Sequence, residues 1–263
     1  MKLFSKTNPS NAFCSMLIVV ALASFSLAQN PPAAAQQGQQ YLISVVRVQE
    51  AAVREWQELV KNEWLPAQKK AGVGELHVWS TDTLGEFGEF RIARAIKDIT
   101  ELDEPSPLVK ALGQMGADAL MAKLRRLTVS SRSYISTTRL DLSIAAPAGY
   151  TPKLAVLNQA IAATGRNAEF EERQKKLTAA IGKTNAKAIR VTRINMGGNR
   201  NEYDVLALFD SFTDISQFGP ALGKAMAEAN LPAQPGVVAN SETIVLRYVP
   251  ELSLRPAAQK TAR

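Results

Sequence analysis

The sequence predicts an α+β fold made of two βαββαβ units in tandem, each with an antiparallel sheet, the two sheets packed face to face. Three observations predict it. Apolar periodicity runs strand, helix, strand, strand, helix, strand, and then passes through the same order again. Three stretches of the first half lie over counterparts in the second at a near-constant spacing: 74–80 over 187–193, 89–100 over 202–213, and 130–144 over 240–254. Finally, YDVLALF in the second half is apolar at successive positions, and a strand apolar on both faces has to be covered on both.

The elements follow in order. YLISVVRV, from Tyr41, is β-branched and apolar, a first strand. Val53, Trp56, Val60 and Trp64 recur at helical spacing, with Gly72 as the stop signal. ELHVWST and EFRIARAI are two strands joined by the turn-forming DTLGEFG. Pro107 opens a second helix whose apolar face carries Leu108, Leu112, Met115, Ala119 and Leu120. The acidic run Asp98, Glu101, Asp103 and Glu104 before it fits a solvated helix start, favourable near the positive end of a helix dipole. SSRSYISTTRLDLSI closes the first unit as a strand. After APAGYTP, the second unit comprises KLAVLNQAIA, a helix with Phe170, Leu177 and Ile181 on one side, KAIRVTRI and EYDVLALFDS around the turn NMGGNRN, a helix over TDISQFGPALGKAMAEAN, and ETIVLRYVPEL. MGGNR at 196–200 fits a hairpin turn better than a phosphate cradle, because no helix follows it directly.

This order, the duplication, and phrases such as EWLPAQKKAG and LDEPSPLVKALG resemble the dimeric α+β barrel superfamily, with its antibiotic-biosynthesis-monooxygenase-like and NIPSNAP-like groups. The resemblance covers residues 41–254 and carries no catalytic signature that the chain matches. It implies ferredoxin-like units at 41–145 and 153–254, whose sheets would enclose a cavity within one chain, as a pseudo-dimer.

Strand alternation then names the residues that would face such a cavity. Leu76 and Val78 belong to the helix-covered side, so His77 and Trp79 take the other. Phe90, Ile92 and Ile96 leave Arg91, Ala93 and Ala95 opposite, and Arg132, Tyr134 and Ser136 share a face of the next strand. Arg190 lies over His77 in the second half. The candidate ligand-binding residues are therefore His77, Trp79, Arg91, Tyr134 and Arg190, with His77 the candidate catalytic group. His77 is the chain's only histidine and has no matched carboxylate in this reading, so a hydrogen-bonding or edge-strand role weighs against a catalytic one.

The N-terminus has the make-up of an export signal. Lys2 and Lys6 precede an apolar run over 16–28 that ends in small residues, and thirteen residues are too few to span a bilayer, which takes about 20. A signal peptide over 1–28, a flexible linker over 29–40 (QNPPAAAQQGQQ) and a secreted or periplasmic location are expected, with no membrane contact once the signal is removed. The single cysteine, Cys14, would leave with the signal, so no disulfide or thiolate chemistry is expected. The net charge of +7 falls to +5 without Lys2 and Lys6; residues 41–148 are balanced, and the excess lies in the second half without the dense basic patch of a nucleic-acid protein. With one histidine, a His-rich metal centre is excluded, and no GxGxxG, phosphate loop, HExxH or GxSxG motif is present. No metal and no cofactor are expected.

Three functional readings stand at this level. The first is a cofactor-free protein that binds a small, partly apolar ligand between the two units. The second is a cofactor-independent oxygenase or isomerase of an aromatic or quinone-like compound, with His77 as base and Arg91 or Arg190 steadying a developing anion; haem on His77 is a lesser variant. The third is an interaction module without a small-molecule site, in which Trp79 is simply interface. A homodimer is the other way of covering the doubly apolar strand.

Overall fold

The computed structural model describes residues 37–81, 83–231 and 235–255; the expected signal and residues 29–36 of the expected linker lie outside these. The chain begins with β1 (Gln37–Val48), followed by α1 (Val53–Leu59), a π-helical turn (Val60–Trp64) and α2 (Leu65–Lys70). Then come β2 (Leu76–Ser80), β3 (Glu89–Ile96), α3 (Pro107–Leu127) and β4 (Thr128–Arg139). The second half runs β5 (Leu154–Ala162), α4 (Asn167–Ile181), β6 (Ala188–Met196), β7 (Glu202–Phe209), α5 (Phe212–Glu228) and β8 (Val238–Tyr248).

All eight strands form one closed antiparallel barrel in the order β1-β3-β2-β8-β5-β7-β6-β4. Each half supplies four neighbouring strands. They meet edge to edge where β2 pairs with β8 through Trp79↔Tyr248, and where β4 pairs with β6 through Thr138↔Thr192. The expectation of two sheets packed face to face is corrected in this respect: the halves share ladders at both seams. Closure removes four strand edges that would otherwise present unpaired N–H and C=O groups.

The boundaries differ from expectation in three places, each because backbone pairing outweighs side-chain pattern. Residues 37–40 fall in β1, not in the linker, since Gln40 pairs with Ile96 and Gln37 with Arg139. Polar side chains do not prevent a ladder from extending. β8 starts at Val238, ahead of the expected strand, because its early residues continue the ladder with β5. The ends LDLSI and PELSL are not strand. Both turn through a 3₁₀ segment, Leu140–Leu142 and Pro250–Leu252, after which Ile144 bridges to Ile189 and Leu254 to Leu76. Ser143 Oγ donates back to the Arg139 carbonyl at 2.6 Å and Ser253 Oγ to the Val249 carbonyl at 2.8 Å, which draws the backbone out of the extended ladder.

Helices cover the outside of the barrel. Leu76, Val78, Phe90 and Ile92 form one core with Trp56, Val60, Leu108, Leu120 and Leu124 from α1 to α3. Trp56 stacks on Phe90 with ring centroids 4.4 Å apart. The π turn spans the place where Leu65 N–H reaches back to the Val60 carbonyl, immediately before Pro66, which has no N–H to give. On the other half, Ile189, Val191, Tyr203 and Val205 pack under Phe170, Ile181 and Phe218 of α4 and α5. Asp98 accepts from Thr100 N at 2.9 Å to cap a 3₁₀ turn, and Glu101 pairs with Arg94, so part of the acidic run is structural. In the β6–β7 turn, Gly197 has φ +79°, and a Cβ there would sit 2.7 Å from the Ser133 carbonyl, so this turn needs glycine.

Candidate functional site

The barrel interior is an open cavity of about 540 Å³, and every strand contributes to its wall. The doubly apolar β7 supplies Leu206 and Leu208 to it, while Tyr203, Val205, Ala207 and Phe209 point to the helices. This is what the sequence pattern demanded: one face of β7 is under helices and the other lines the lumen within the same chain. Leu157 from β5 and Leu246 from β8 extend the apolar wall, with Trp79 edge-on to Tyr248 at 5.0 Å. The connection between the halves, at Ala146, Gly149, Tyr150 and Pro152, borders the cavity together with Arg255.

His77, Trp79, Arg91, Tyr134 and Arg190 all line this space. They belong to two separate polar networks. The outer one starts at His77, whose Nε2 lies 2.8 Å from Glu75 Oε1, while Nδ1 lies 3.5 Å from the Tyr248 hydroxyl. Tyr41 also donates to Glu75 Oε1, at 2.8 Å. These contacts hold the Glu75 carboxyl down at about 2: the His77 hydrogen bond lowers it most, the one from Tyr41 adds to this, and burial opposes both. Burial pushes the Tyr41 hydroxyl up to about 12 against the pull of Arg190. An ionised Glu75 can only accept, so Nε2 donates to it, and Nδ1 faces the Tyr248 hydroxyl. Arg190 lies over the Tyr41 ring at 5.4 Å, and Arg255 over the Tyr248 ring at 5.2 Å. Arg255 also reaches the Tyr248 hydroxyl at 3.4 Å and Thr151 in the connection.

The inner network is more deeply buried and ties the halves together across the lumen. Arg91, 8% exposed, donates to Glu89 at 3.0 Å and to Gln159 at 3.0 Å. Gln159 in turn donates to Asp204 at 2.9 Å and Glu202 at 3.3 Å, and the Tyr134 hydroxyl, 2% exposed as a residue, donates to Asp204 at 3.0 Å. Burial, and then the neighbouring Asp204, raise Glu202 above the ordinary carboxylate range. Burial likewise raises Tyr134, reinforced by Asp204.

The sequence reading missed the carboxylate of His77. Glu75 stands two residues before it, and i, i+2 alternation would have placed both on one face. Asp204 was also within reach of that rule, through Leu206. Tyr41 and Gln159 were within reach of it too, beside Ile43 and Leu157, whereas Tyr248 and Arg255 join His77 only through barrel closure and the C-terminal tail.

Glu75 holds the His77 ring by Nε2 and leaves Nδ1 facing the Tyr248 hydroxyl at 3.5 Å. A haem iron on either nitrogen would have to displace one of these contacts.

The frame, a closed eight-stranded antiparallel barrel with helices outside, is the α+β barrel fold of the dimeric α+β barrel proteins. Solved structures of similar shape include a candidate monooxygenase from Lactobacillus acidophilus, with TM-score 0.54 and 11% identity over 83% of this chain and 97% of that one. An anthrone oxidase-like protein gives TM-score 0.54 and 10% identity over 82% and 93%. A chlorite dismutase variant from Candidatus Nitrospira defluvii in complex with cyanide gives 0.55 and 9% over 82% and 93%. At this identity the shared property is the fold. No family model and no curated protein sequence matches the chain.

Proposed function

We propose that the barrel lumen binds one small, partly apolar molecule. The observation that carries this is the open cavity of about 540 Å³ with an apolar wall and a few convergent polar groups, the make-up of a small-molecule site. The same reading takes the chain as two ferredoxin-like units joined by duplication, exported by the segment 1–28 to the periplasm or cell exterior. The repeated strand order of the two halves and the matched serine turns at Ser143 and Ser253 support duplication. Because the doubly apolar β7 is covered within the chain, a homodimer would have to use other surfaces. The test is calorimetric titration with neutral bicyclic aromatics such as 2-naphthalenemethanol, using Leu206→Trp to fill the lumen. Binding by the wild type and its loss in a folded Leu206→Trp variant is expected. Equal binding by both proteins would place the site elsewhere, and absence of binding by the wild type of both the neutral aromatic and its carboxylate counterpart would remove the reading.

A second reading, cofactor-independent oxygenation or isomerisation of an aromatic or quinone-like substrate, is favoured by the Glu75–His77 geometry. A substrate hydroxyl could pass its proton to Nδ1 through Tyr248, a contact that is long at 3.5 Å and would tighten on binding. Arg190 would stand beside the anion so formed. The names of the monooxygenase and anthrone oxidase-like neighbours point the same way. Quinols and polycyclic phenols are the substrates to screen. Turnover that survives unchanged in His77→Ala would remove this mechanism.

A further inference from the structure

We infer that the molecule held in the lumen is an aromatic carboxylate, its ring against the leucine wall and its carboxylate between Arg190 and Arg255. The inference rests on the lumen-binding reading and adds the charge and orientation of the ligand.

Among the residues lining the cavity, the outer network carries two guanidiniums, Arg190 and Arg255, against one carboxylate, Glu75. Glu75 already accepts from both Tyr41 and His77. Arg190 makes no hydrogen bond or ion pair within 4.0 Å among the described residues; it lies over the face of Tyr41 and close enough to Glu75 to help lower that carboxyl, leaving its N–H donors unspent. Arg255 spends its donors on two neutral hydroxyls, those of Tyr248 and Thr151. A guanidinium stacked on a tyrosine keeps its N–H edge available, and a planar carboxylate is the group that edge matches best. The inner network has the opposite sign. There Arg91 is held by Glu89 and stands close to Asp204 and Glu202, whose own proximity and burial raise the Glu202 pKa. An anion entering that end would meet carboxylates.

Among the cavity-lining residues the outer end thus carries a positive excess, Arg190 and Arg255 against Glu75, whereas Arg91 and Asp204 balance in the interior, so a ligand with one anionic end has a favoured orientation. Trp79, Leu208 and Leu246 lie along the wall with Tyr248, and so supply the apolar surface next to the charged end.

The experiment compares 2-naphthoate with 2-naphthalenemethanol, the same ring system with and without the charge, by calorimetry at pH 7 and low salt. The wild type is expected to bind naphthoate at least about tenfold more tightly. Arg190→Gln should erase that preference while keeping the affinity for the alcohol, and Arg255→Gln should reduce it. Lys224→Gln, at a well-exposed position of α5, is the control and should change neither. Equal affinity of the wild type for the two probes, or a preference that persists in Arg190→Gln, overturns the inference and leaves the lumen reading standing. Binding of neither probe overturns both. Far-UV circular dichroism and thermal melts confirm that each variant is folded.

Discussion

Glu75 Oε1 accepts hydrogen bonds from two directions, from His77 Nε2 at 2.8 Å and from the Tyr41 hydroxyl at 2.8 Å, and so joins β1 to β2 across the face of the barrel. One carboxylate oxygen thus orients the imidazole and anchors the tyrosine on which Arg190 lies. The side chain is a quarter exposed, so the two bonds have to offset a partial loss of hydration.

That relationship has a pH signature. The Glu75 carboxyl sits at about 2 in the fold against an ordinary value of 4.5. A depressed native pKa stabilises the fold above the unfolded value, and the contribution fades as pH falls from about 4.5 toward 2. Glu75→Ala should therefore cost about 1–2 kcal/mol at pH 7, discounted for partial exposure. The difference from wild type should shrink between pH 4.5 and 2 in urea unfolding curves. A difference that stays constant with pH would mean that packing, not the ionised carboxylate, is what the substitution removes.

Glu202 behaves in the opposite sense. Burial and Asp204 raise its pKa, while Arg132 and Arg91 pull it down less strongly. A raised native pKa gives stability that is fully present below the ordinary carboxylate value and is lost as pH rises through the native one. Glu202→Gln, which still accepts from Gln159, should match wild type at pH 4 and melt at a higher temperature at pH 7.5. Destabilisation at both pH values would show that the charge of Glu202 is needed by Arg91 and Arg132.

Ser253 and Ser143 occupy equivalent places in the two halves. Val78 N–H donates to Ser253 Oγ at 2.9 Å, and Val191 N–H to Ser143 Oγ at 3.0 Å. Val78 and Val191 are fully buried, so alanine at either serine leaves a strand N–H without water or partner. Each substitution should cost about 1–2 kcal/mol. The sites share no partner, so the double variant should be additive to within about 0.5 kcal/mol in denaturant titrations. Strong non-additivity would indicate that the two seams of the barrel open together.

The serines also mark where sequence patterning stops working. Strand and helix identities were legible because Leu76, Val78, Phe90 and Ile92 alternate with wall residues, and because the Trp56–Val60 spacing is helical. The same alternation placed His77, Trp79, Arg91 and Tyr134 on the face away from the helices, and the alignment of the halves added Arg190; all five line the cavity. It stopped short at Glu75, one step along the same rule. The chain ends after β4 and β8 escaped it for a physical reason: LDLSI and PELSL have strand composition, yet serine back-bonding and a bridge to the opposite half decide their path. Tyr248 and Arg255 meet His77 only because β8 closes on β2, and no local periodicity encodes such a contact.

The two halves depend on each other for their cores. Leu252, 1% exposed, follows β8 of the second half, yet it belongs to the core of the first, with Trp56, Leu76 and Leu120. Val249 accompanies it, and Val249 N–H donates to the Val78 carbonyl at 2.9 Å. Leu142, also 1% exposed, makes the reciprocal insertion: it follows β4 of the first half and packs with Phe170, Ile189 and Tyr203 of the second. Each half thus completes the other's core, and a cavity opened by Leu252→Ala lies under the helices of the other half. The cost should be about 2–5 kcal/mol, the range for removing a buried leucine side chain. Native-state hydrogen exchange locates it: protection should fall first in residues 53–70 and 107–127, with 167–181 and 212–228 less affected. Leu142→Ala should show the mirror pattern. Loss confined to the half that carries the substitution would mean that the two cores are energetically separate, and that the exchanged tails contribute contact without support.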